Sequence, residues 1–447
     1  MSFLEIALGM LEKYPLCDNC LGRQSALLGR GIENSERGKS LKIVLTMQAG
    51  TFALAKNLKG SRQLRVLASN GFSHEAQETL RQYGLRAPRE KPEGCFLCND
   101  KFLLLDKLAQ KALNALAYYE YTTFLIGVEL PVAVEERDDE FKAAFAVNHS
   151  ESIRHEFGRL LGKQIEAASG KAVEFGKPDI TVVVNPWTEA VTLQVNPLFV
   201  LGRYRKMVRD IPQSKWYCSS CRGKGCKKCG GTGKMYPESV EELVSKPILE
   251  MAQGEKTSFH ASGREDIDAR MLGAGRPFVV EISKPQKRFL DLDMIGKEIN
   301  AAGHGRVSVS GLRFTSRDVV RTLKKAESAQ KEYRVLVEFE REVLDEDLPA
   351  LEEKLTGALI KQQTPLRVLH RRADLIREKY IYWVKVRKVT RKQAEMKVRC
   401  QGGLYVKELV SGDEGRTTPS VSALLGMGAK TLKLDVLKVI VDLDKVK

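Results

Sequence analysis

The chain contains no apolar run near the roughly 20 residues that a bilayer-crossing helix needs, which excludes an integral helical membrane protein. Its opening, MSFLEIALGMLEKYPL, places Glu5 and Glu12 inside the apolar pattern, so it reads as an amphipathic helix rather than a signal peptide. A cytoplasmic location is therefore expected, and the Asn148-His149-Ser150 sequon is expected to stay inert. The sequence also lacks a strand-linked GxGxG loop, an Asn-Pro-Pro-aromatic tetrad and an SGGxDS pyrophosphate loop. Those are the nucleotide grips that methyl transfer and thiolation require.

What is abundant is positive charge. Lysine and arginine number 73 against 57 aspartates and glutamates, a formal net charge of +16, which draws a polyanion and makes nucleic acid the leading partner. No basic amphipathic helix of the membrane-lying kind accompanies it, so no membrane contact is expected, and no obligate protein partner is evident. At 447 residues with 43% hydrophobic content the chain is expected to form two or three domains.

Eight of the nine cysteines fall in CxxC pairs. Disulfides are disfavoured in a reducing compartment, whereas two such pairs supply the four thiolates of a tetrahedral metal site. Cys17 and Cys20 join Cys95 and Cys98 in one structural zinc site, closed and hence not catalytic. Cys218, Cys221, Cys226 and Cys229 sit in CSSCRGKGCKKCGGTG, two tandem CxxCxGxG units that resemble the zinc-binding module of DnaJ-type chaperones. Only residues 222–225 separate the two pairs, leaving open a metal site or a reduced, mobile finger. Arg222, Lys224, Lys227, Lys228 and Lys234 make this knuckle basic, which suits RNA. Cys400, with no neighbouring His, reads as a small buried apolar residue.

The most informative segment is ASGREDIDARMLGAGRPF, residues 261–278. Gly263, Gly273 and Gly275 loosen it, so it is expected to be neither good helix nor good strand, and its carboxylates and arginines need pairing. Gly263-Arg264-Glu265-Asp266 matches the Gly-Arg-x-Asp hallmark of pseudouridine synthases. The longer string resembles the Pus-Ten family of tRNA pseudouridine synthases, as does CDNCLGRQSALLGRG around the first cysteine pair.

That resemblance implies isomerisation of T-loop uridines, uridine-55 and also uridine-54 as a candidate, in tRNA. The bond from ribose to N1 of a flipped-out uracil is broken and remade through C5, without an organic cofactor. Asp266 is the implied catalytic acid, ahead of Asp268, which is expected to pair with Arg264 or Arg270. Tyr333 in KEYRVLVE takes the place of the family's active-site tyrosine, able to stack on uracil and act as acid or base. Lys407 in GGLYVKELVSGDEGRTTPS matches the basic residue that pairs with the catalytic Asp, and Leu424 or Leu425 supplies an apolar pocket wall. Arg264 can hold phosphate, and TPLRVLHRRADLI, with Arg367, His370, Arg371 and Arg372, reads as a phosphate-facing patch.

Residues 101–120 and 149–169 have helical periodicity, and TTFLIGVELPVAV, ITVVVN and AVTLQVNPLFVLG read as strands, the last running into GRYRKMVRD with Arg203, Arg205, Lys206 and Arg209. About residues 65–212 resemble a THUMP domain, whose basic tail is expected to bind tRNA. The expected fold is α+β throughout: an N-terminal zinc-bound THUMP-containing module, then a pseudouridine synthase catalytic domain with a large, mainly antiparallel sheet. The expected divisions are 1–64 (the zinc segment completed by Cys95 and Cys98), 65–212, a 213–236 knuckle linker and 237–447. Two rival readings are a THUMP-bearing tRNA methyltransferase or thiouridylase, which the missing loops disfavour, and a non-catalytic zinc-dependent RNA-binding or chaperone module. The latter leaves Asp266, Tyr333 and Lys407 without purpose, and no His-Pro-Asp triplet of a J domain occurs.

Overall fold

A computed structural model describes residues 2–89, 92–325 and 329–441. The chain folds as two compact units, residues 1–196 and 197–447. No described helix is long and apolar enough to cross a membrane.

The first unit opens with helices α1 (Phe3–Lys13), α2 (Asp18–Gly22), α3 (Asn34–Leu54), α4 (Leu58–Ser69), α5 (His74–Gln82) and α6 (Leu105–Leu116). Strand β1 (Thr123–Val128), helices α7 (Val132–Ala144) and α8 (Ile153–Ser169), and strands β2 (Ala172–Val173), β3 (Ile180–Asn185) and β4 (Ala190–Val195) follow. The sheet order is β2-β1-β3-β4, with β1 parallel to β2 and β3, and β4 antiparallel to β3. Helix α8 ends where expected, at Gly170 in the left-handed conformation. The run TTFLIGVELPVAV is not one strand. Pro131 stops β1 and stands at the N-terminus of α7, where its missing N–H costs nothing.

A division at 64/65 would cut α4, so the cysteine segment and the sheet form one body. Helices α2 and α3 touch backbone to backbone at two glycines: a Cβ added at Gly22 would lie 1.8 Å from Asn34 O, and one at Gly38 1.9 Å from Asp18 O. That crossing fixes the turn carrying Cys17 and Cys20. A buried ion pair between Arg23 and Asp138 ties the same segment to α7.

The second unit contains β5 (Leu198–Lys206), α9 (Val240–Ala252), β6 (Lys256–Ala261), β7 (Ala269–Ser283), α10 (Leu292–Ala302), β8 (Val307–Thr315), α11 (Arg317–Lys325) and β9 (Lys331–Phe339). It continues through α12 (Asp347–Leu355), β10 (Leu359–Gln363), β11 (Ile376–Thr390), β12 (Gln393–Cys400), α13 (Val406–Ser411), β13 (Thr417–Thr418), α14 (Val421–Leu425) and β14 (Ala429–Val439). The ten strands run β13-β10-β11-β12-β9-β14-β7-β5-β8, with β6 on β7. Among the described residues of this sheet only β14 and β7 pair in parallel, so the large sheet is mainly antiparallel, as expected.

Three details depart from the sequence reading. AVTLQVNPLFVLG splits at Asn196/Pro197, and its second half, β5, lies in the large sheet between β7 and β8. The division therefore falls at 196/197 rather than 212. LPALEEKLTGALIKQ, whose leucines are spaced for a single helix, breaks at Gly357 (φ +75°) into α12 and β10. The segment 269–278 is strand after all. Gly273 (φ +55°) and Gly275 (φ +73°) kink β7 between its β14-paired start and its β5-paired remainder, where a side chain would strike Leu437 O or Tyr204 O.

Overpacking the α2–α3 crossing has a direct cost. Gly38→Ala is expected to destabilise the first unit by about 1–3 kcal/mol, read as a lower midpoint in thermal unfolding and faster alkylation of Cys17 and Cys20.

Candidate active site

Residues 262–268 form an open loop between β6 and β7, anchored from beneath by Glu265. This carboxylate, 5% exposed, accepts from Arg276 Nε at 2.9 Å and from the Tyr204 hydroxyl at 2.8 Å. Arg276 also donates to Ser262 O at 2.6 Å, and Gln213 donates to Tyr204 Oη at 2.7 Å and Gly263 O at 3.0 Å. Burial pushes the Tyr204 phenol well above its ordinary pKa, so it serves as a donor. Gly263 (φ +76°) lets the loop turn over this network, since a Cβ there would meet Lys331 Nζ at 2.9 Å.

Lys206 is not a surface cation. It is fully buried, and its ammonium donates to Ile211 O at 2.8 Å, Asp266 O at 3.3 Å and Ile267 O at 3.2 Å. Strand alternation explains the correction: Tyr204 and Lys206 face inward while Arg203 and Arg205 face the other side. Burial pulls the Lys206 ammonium below its usual pKa. Arg205 is exposed; Arg203 is partly buried and donates to Gly275 O at 3.1 Å. Arg209 is bound to Asp268 O, Leu434 O and Asp435.

With Glu265 turned in, Asp266 turns out, its side chain 40% exposed; the acid is open rather than buried. Its Oδ2 lies 3.3 Å from both Arg367 Nη1 and Lys407 Nζ. Lys407 binds Asp268 more closely, at 2.8 and 2.9 Å, so the expected partners of Asp268, Arg264 and Arg270, are not its ion-pair partners. Burial alone would raise the Asp268 carboxyl, but the Lys407 hydrogen bonds and charge outweigh it and hold Asp268 below the ordinary aspartate value. Arg367 is fixed by Glu408 at 2.6 Å, which makes it part of this cluster instead of a free phosphate clamp. Arg371 is exposed, and Arg372 donates to the Tyr405 hydroxyl at 2.9 Å.

Tyr333, partly buried on β9, lies within electrostatic reach of Asp266, Glu265 and Arg276. Burial, reinforced by those carboxylates, raises its phenol far enough to keep it protonated at neutral pH, so its hydroxyl can donate but is a poor base. Leu424 and Leu425 both pack partly buried against the β9–β12 core, and nothing distinguishes them. Sequence reasoning missed Asp435 on β14, a hub bound by Arg209, Arg270 and Arg334 at 2.8–2.9 Å. Burial raises this carboxyl, but hydrogen bonds from Arg270 and Arg334 bring it down to about 2. No local motif marks it; only the β14–β7 and β14–β9 registers, Asp435 opposite Arg270 and Arg334, reveal it.

The cysteines gather as their spacing requires. Cys17, Cys20, Cys95 and Cys98 form one cluster, Cys218, Cys221, Cys226 and Cys229 another, the sulfurs of each within 4.8 Å of one another. Close Sγ pairs lie 3.6–3.9 Å apart. A tetrahedron of Zn–S bonds of about 2.3 Å has edges of roughly 3.8 Å, so both sets fit zinc. In the second, Gly225 N–H donates to Cys221 Sγ and Gly233 N–H to Cys229 Sγ, each at 3.2 Å. Both glycines have positive φ and meet backbone where a Cβ would be.

A family described as "Pus10, C-terminal" matches residues 199–440, and "Pus10 THUMP domain, archaeal" matches 108–185. The chain is 44% identical over 438 residues to the tRNA pseudouridine synthase Pus10 of Methanocaldococcus jannaschii, covering 96% of this chain and 93% of that one. It is 40% identical over 439 residues to the tRNA pseudouridine synthase Pus10 of Methanothrix thermoacetophila, covering 98% and 94%.

Two measurements check this geometry. Lys206→Met is expected to lower the thermal midpoint by removing a buried donor from three carbonyls, at a cost of about 1–3 kcal/mol, whereas Arg205→Ala leaves the midpoint unchanged and flattens the salt dependence of tRNA binding. Asp435 has a folded pKa of about 2 against an ordinary 3.8, so its contribution is complete above about pH 4 and is lost as pH falls towards 2. Acid titration of stability is expected to show a loss of roughly 2 kcal/mol in that window, absent from Asp435→Asn.

Proposed function

The chain belongs to the Pus10 family, and from that premise we propose that Asp266 acts on a T-loop uridine extruded from tRNA. The protein is a tRNA pseudouridine synthase, an isomerase. Uridine-55 is the proposed target, with uridine-54 the further candidate. The observation that carries the reading is a half-exposed carboxylate with two cations at 3.3 Å. The two cations fix where the carboxylate points, and the exposure leaves it reachable by a flipped nucleoside. Arg367 and Lys407 set its direction; Glu408 and Asp268 in turn hold those cations. Tyr333 supplies an aromatic face and a protonated hydroxyl beside the base, and Leu424 or Leu425 an apolar wall. Arg264, Arg205 and Arg371 carry the RNA backbone contacts outside this cluster. The region matching the THUMP description contributes further tRNA binding.

We further assign a structural zinc to each four-cysteine cluster; bound, it would cross-link the turns that hold its ligands. No organic cofactor is required by a reaction without redox change, and cytoplasmic conditions keep such thiols reduced.

The assignment is tested on unmodified tRNA transcript with chemical mapping of pseudouridine. Asp266→Asn is expected to cut the rate by roughly 10³-fold or more, while Asp268→Asn keeps most of it. The opposite ranking would transfer the catalytic role to Asp268. Native mass spectrometry of the same samples is expected to show two zinc ions; metal-free protein with all eight thiols open to alkylation would remove the zinc assignment.

A further inference from the structure

The three arginines of the catalytic segment have different fates. Arg276 is buried on Glu265, and Arg270 is bound bidentately to Asp435 at 2.8 Å. Arg264 is exposed and makes no hydrogen bond or ion pair among the described residues. Its one fixed contact is the indole of Trp216, whose ring centroid lies 5.0 Å from the guanidinium carbon.

Trp216 is well held. It stands on the stem of the cysteine knuckle, where Met235 N–H donates to Trp216 O at 2.9 Å and Tyr236 meets the indole edge-on at 5.5 Å. The stem is closed by the Tyr217–Lys234 bridge and by Cys218 N–H donating to Gly233 O at 2.8 Å. Lys215 N–H donates to Glu241 on α9 at 3.2 Å, and Gln213 grips Gly263 O. Successive residues of the catalytic loop, Gly263 and Arg264, are thus held from one short stretch, 213–216.

We propose that Trp216 is a positioning residue for Arg264, fixing its guanidinium two residues before Asp266 so that it meets the RNA in one place. The proposal rests on the pseudouridine synthase reading. A guanidinium held over an indole keeps its N–H groups free of any protein acceptor, so the contact restricts the side chain without consuming donors. A carboxylate partner would have neutralised it. Arginine also offers a phosphate two N–H groups at once, which a lysine cannot.

The test is a double-mutant cycle in the full chain, read by single-turnover pseudouridine formation and by tRNA affinity. Trp216→Ala is expected to slow turnover and to weaken tRNA affinity, each about tenfold, and Trp216→Phe to recover most of both losses. In an Arg264→Ala background, Trp216→Ala is expected to add little. Thermal midpoint and zinc content report folding. Should Trp216→Ala lower either, Trp216→Leu, which keeps bulk without an aromatic face, replaces it in the cycle. Multiplicative losses in the double variant, or no recovery by Phe with midpoint and zinc intact, would overturn the brace. Wild-type protein that makes no pseudouridine sinks the function instead, and the same cycle scored on tRNA affinity then decides the brace on its own.

Discussion

Everything at this site leans on the ion pair of Glu265 and Arg276, both essentially removed from water. Two charges buried together are tolerable only when their remaining hydrogen-bonding capacity is filled, and here Tyr204, Gln213 and the Ser262 carbonyl fill it. Removing either partner would strand a charge at a cost of about 3–5 kcal/mol. The pair therefore works as a registration pin. With Glu265 committed inward, Asp266 projects outward at the start of the turn to Ala269, and the Lys206 ammonium beneath seals the carbonyls of Asp266 and Ile267.

That pin also explains how one short segment can carry so much charge. Its cations are assigned in tiers: Arg276 to the interior, Arg270 to the Asp435 hub, Arg264 to an aromatic face. Each is satisfied by a different kind of partner, so none competes for Asp266. The cations that do reach Asp266 come from elsewhere in the chain, Arg367 from the turn after β10 and Lys407 from α13. The proposed catalytic acid is thus aimed by local structure and flanked by cations from distant structure.

How much of this was legible in the sequence follows from the range of each interaction. The CxxC pairs, the Gly170 cap and the Gly-Arg-x-Asp loop are local, and the first two appear in the structure as read. Lys206 looked like a surface cation because composition counts charges without facing them; a two-residue period, applied from Tyr204, would have sent it inward. Glu265 was passed over as the variable position of its motif. Asp435 and Glu408 were beyond reach, since each is defined by partners that only strand register and helix placement supply. The placement of β5 failed for a different reason: a continuous apolar run gave no hint that Leu198, just past Pro197, begins a strand of another sheet.

Charge also bears on where the proposed RNA contacts can lie. Around Asp266 three carboxylates, Asp266, Asp268 and Glu408, stand against three cations, Arg367, Lys407 and the Lys206 ammonium beneath. Their formal sum is zero, so despite the chain's +16 the centre of the site has no surplus cation for phosphate. A neutral uracil can approach such a centre; a phosphodiester finds no unpaired cation in it. The backbone contacts proposed above use cations not spent on carboxylates: Arg205, Arg264 and Arg371 are exposed and lack ion-pair partners among the described residues. On that proposal the two tasks are divided by pairing: paired cations flank the acid, and unpaired ones are left for the polymer.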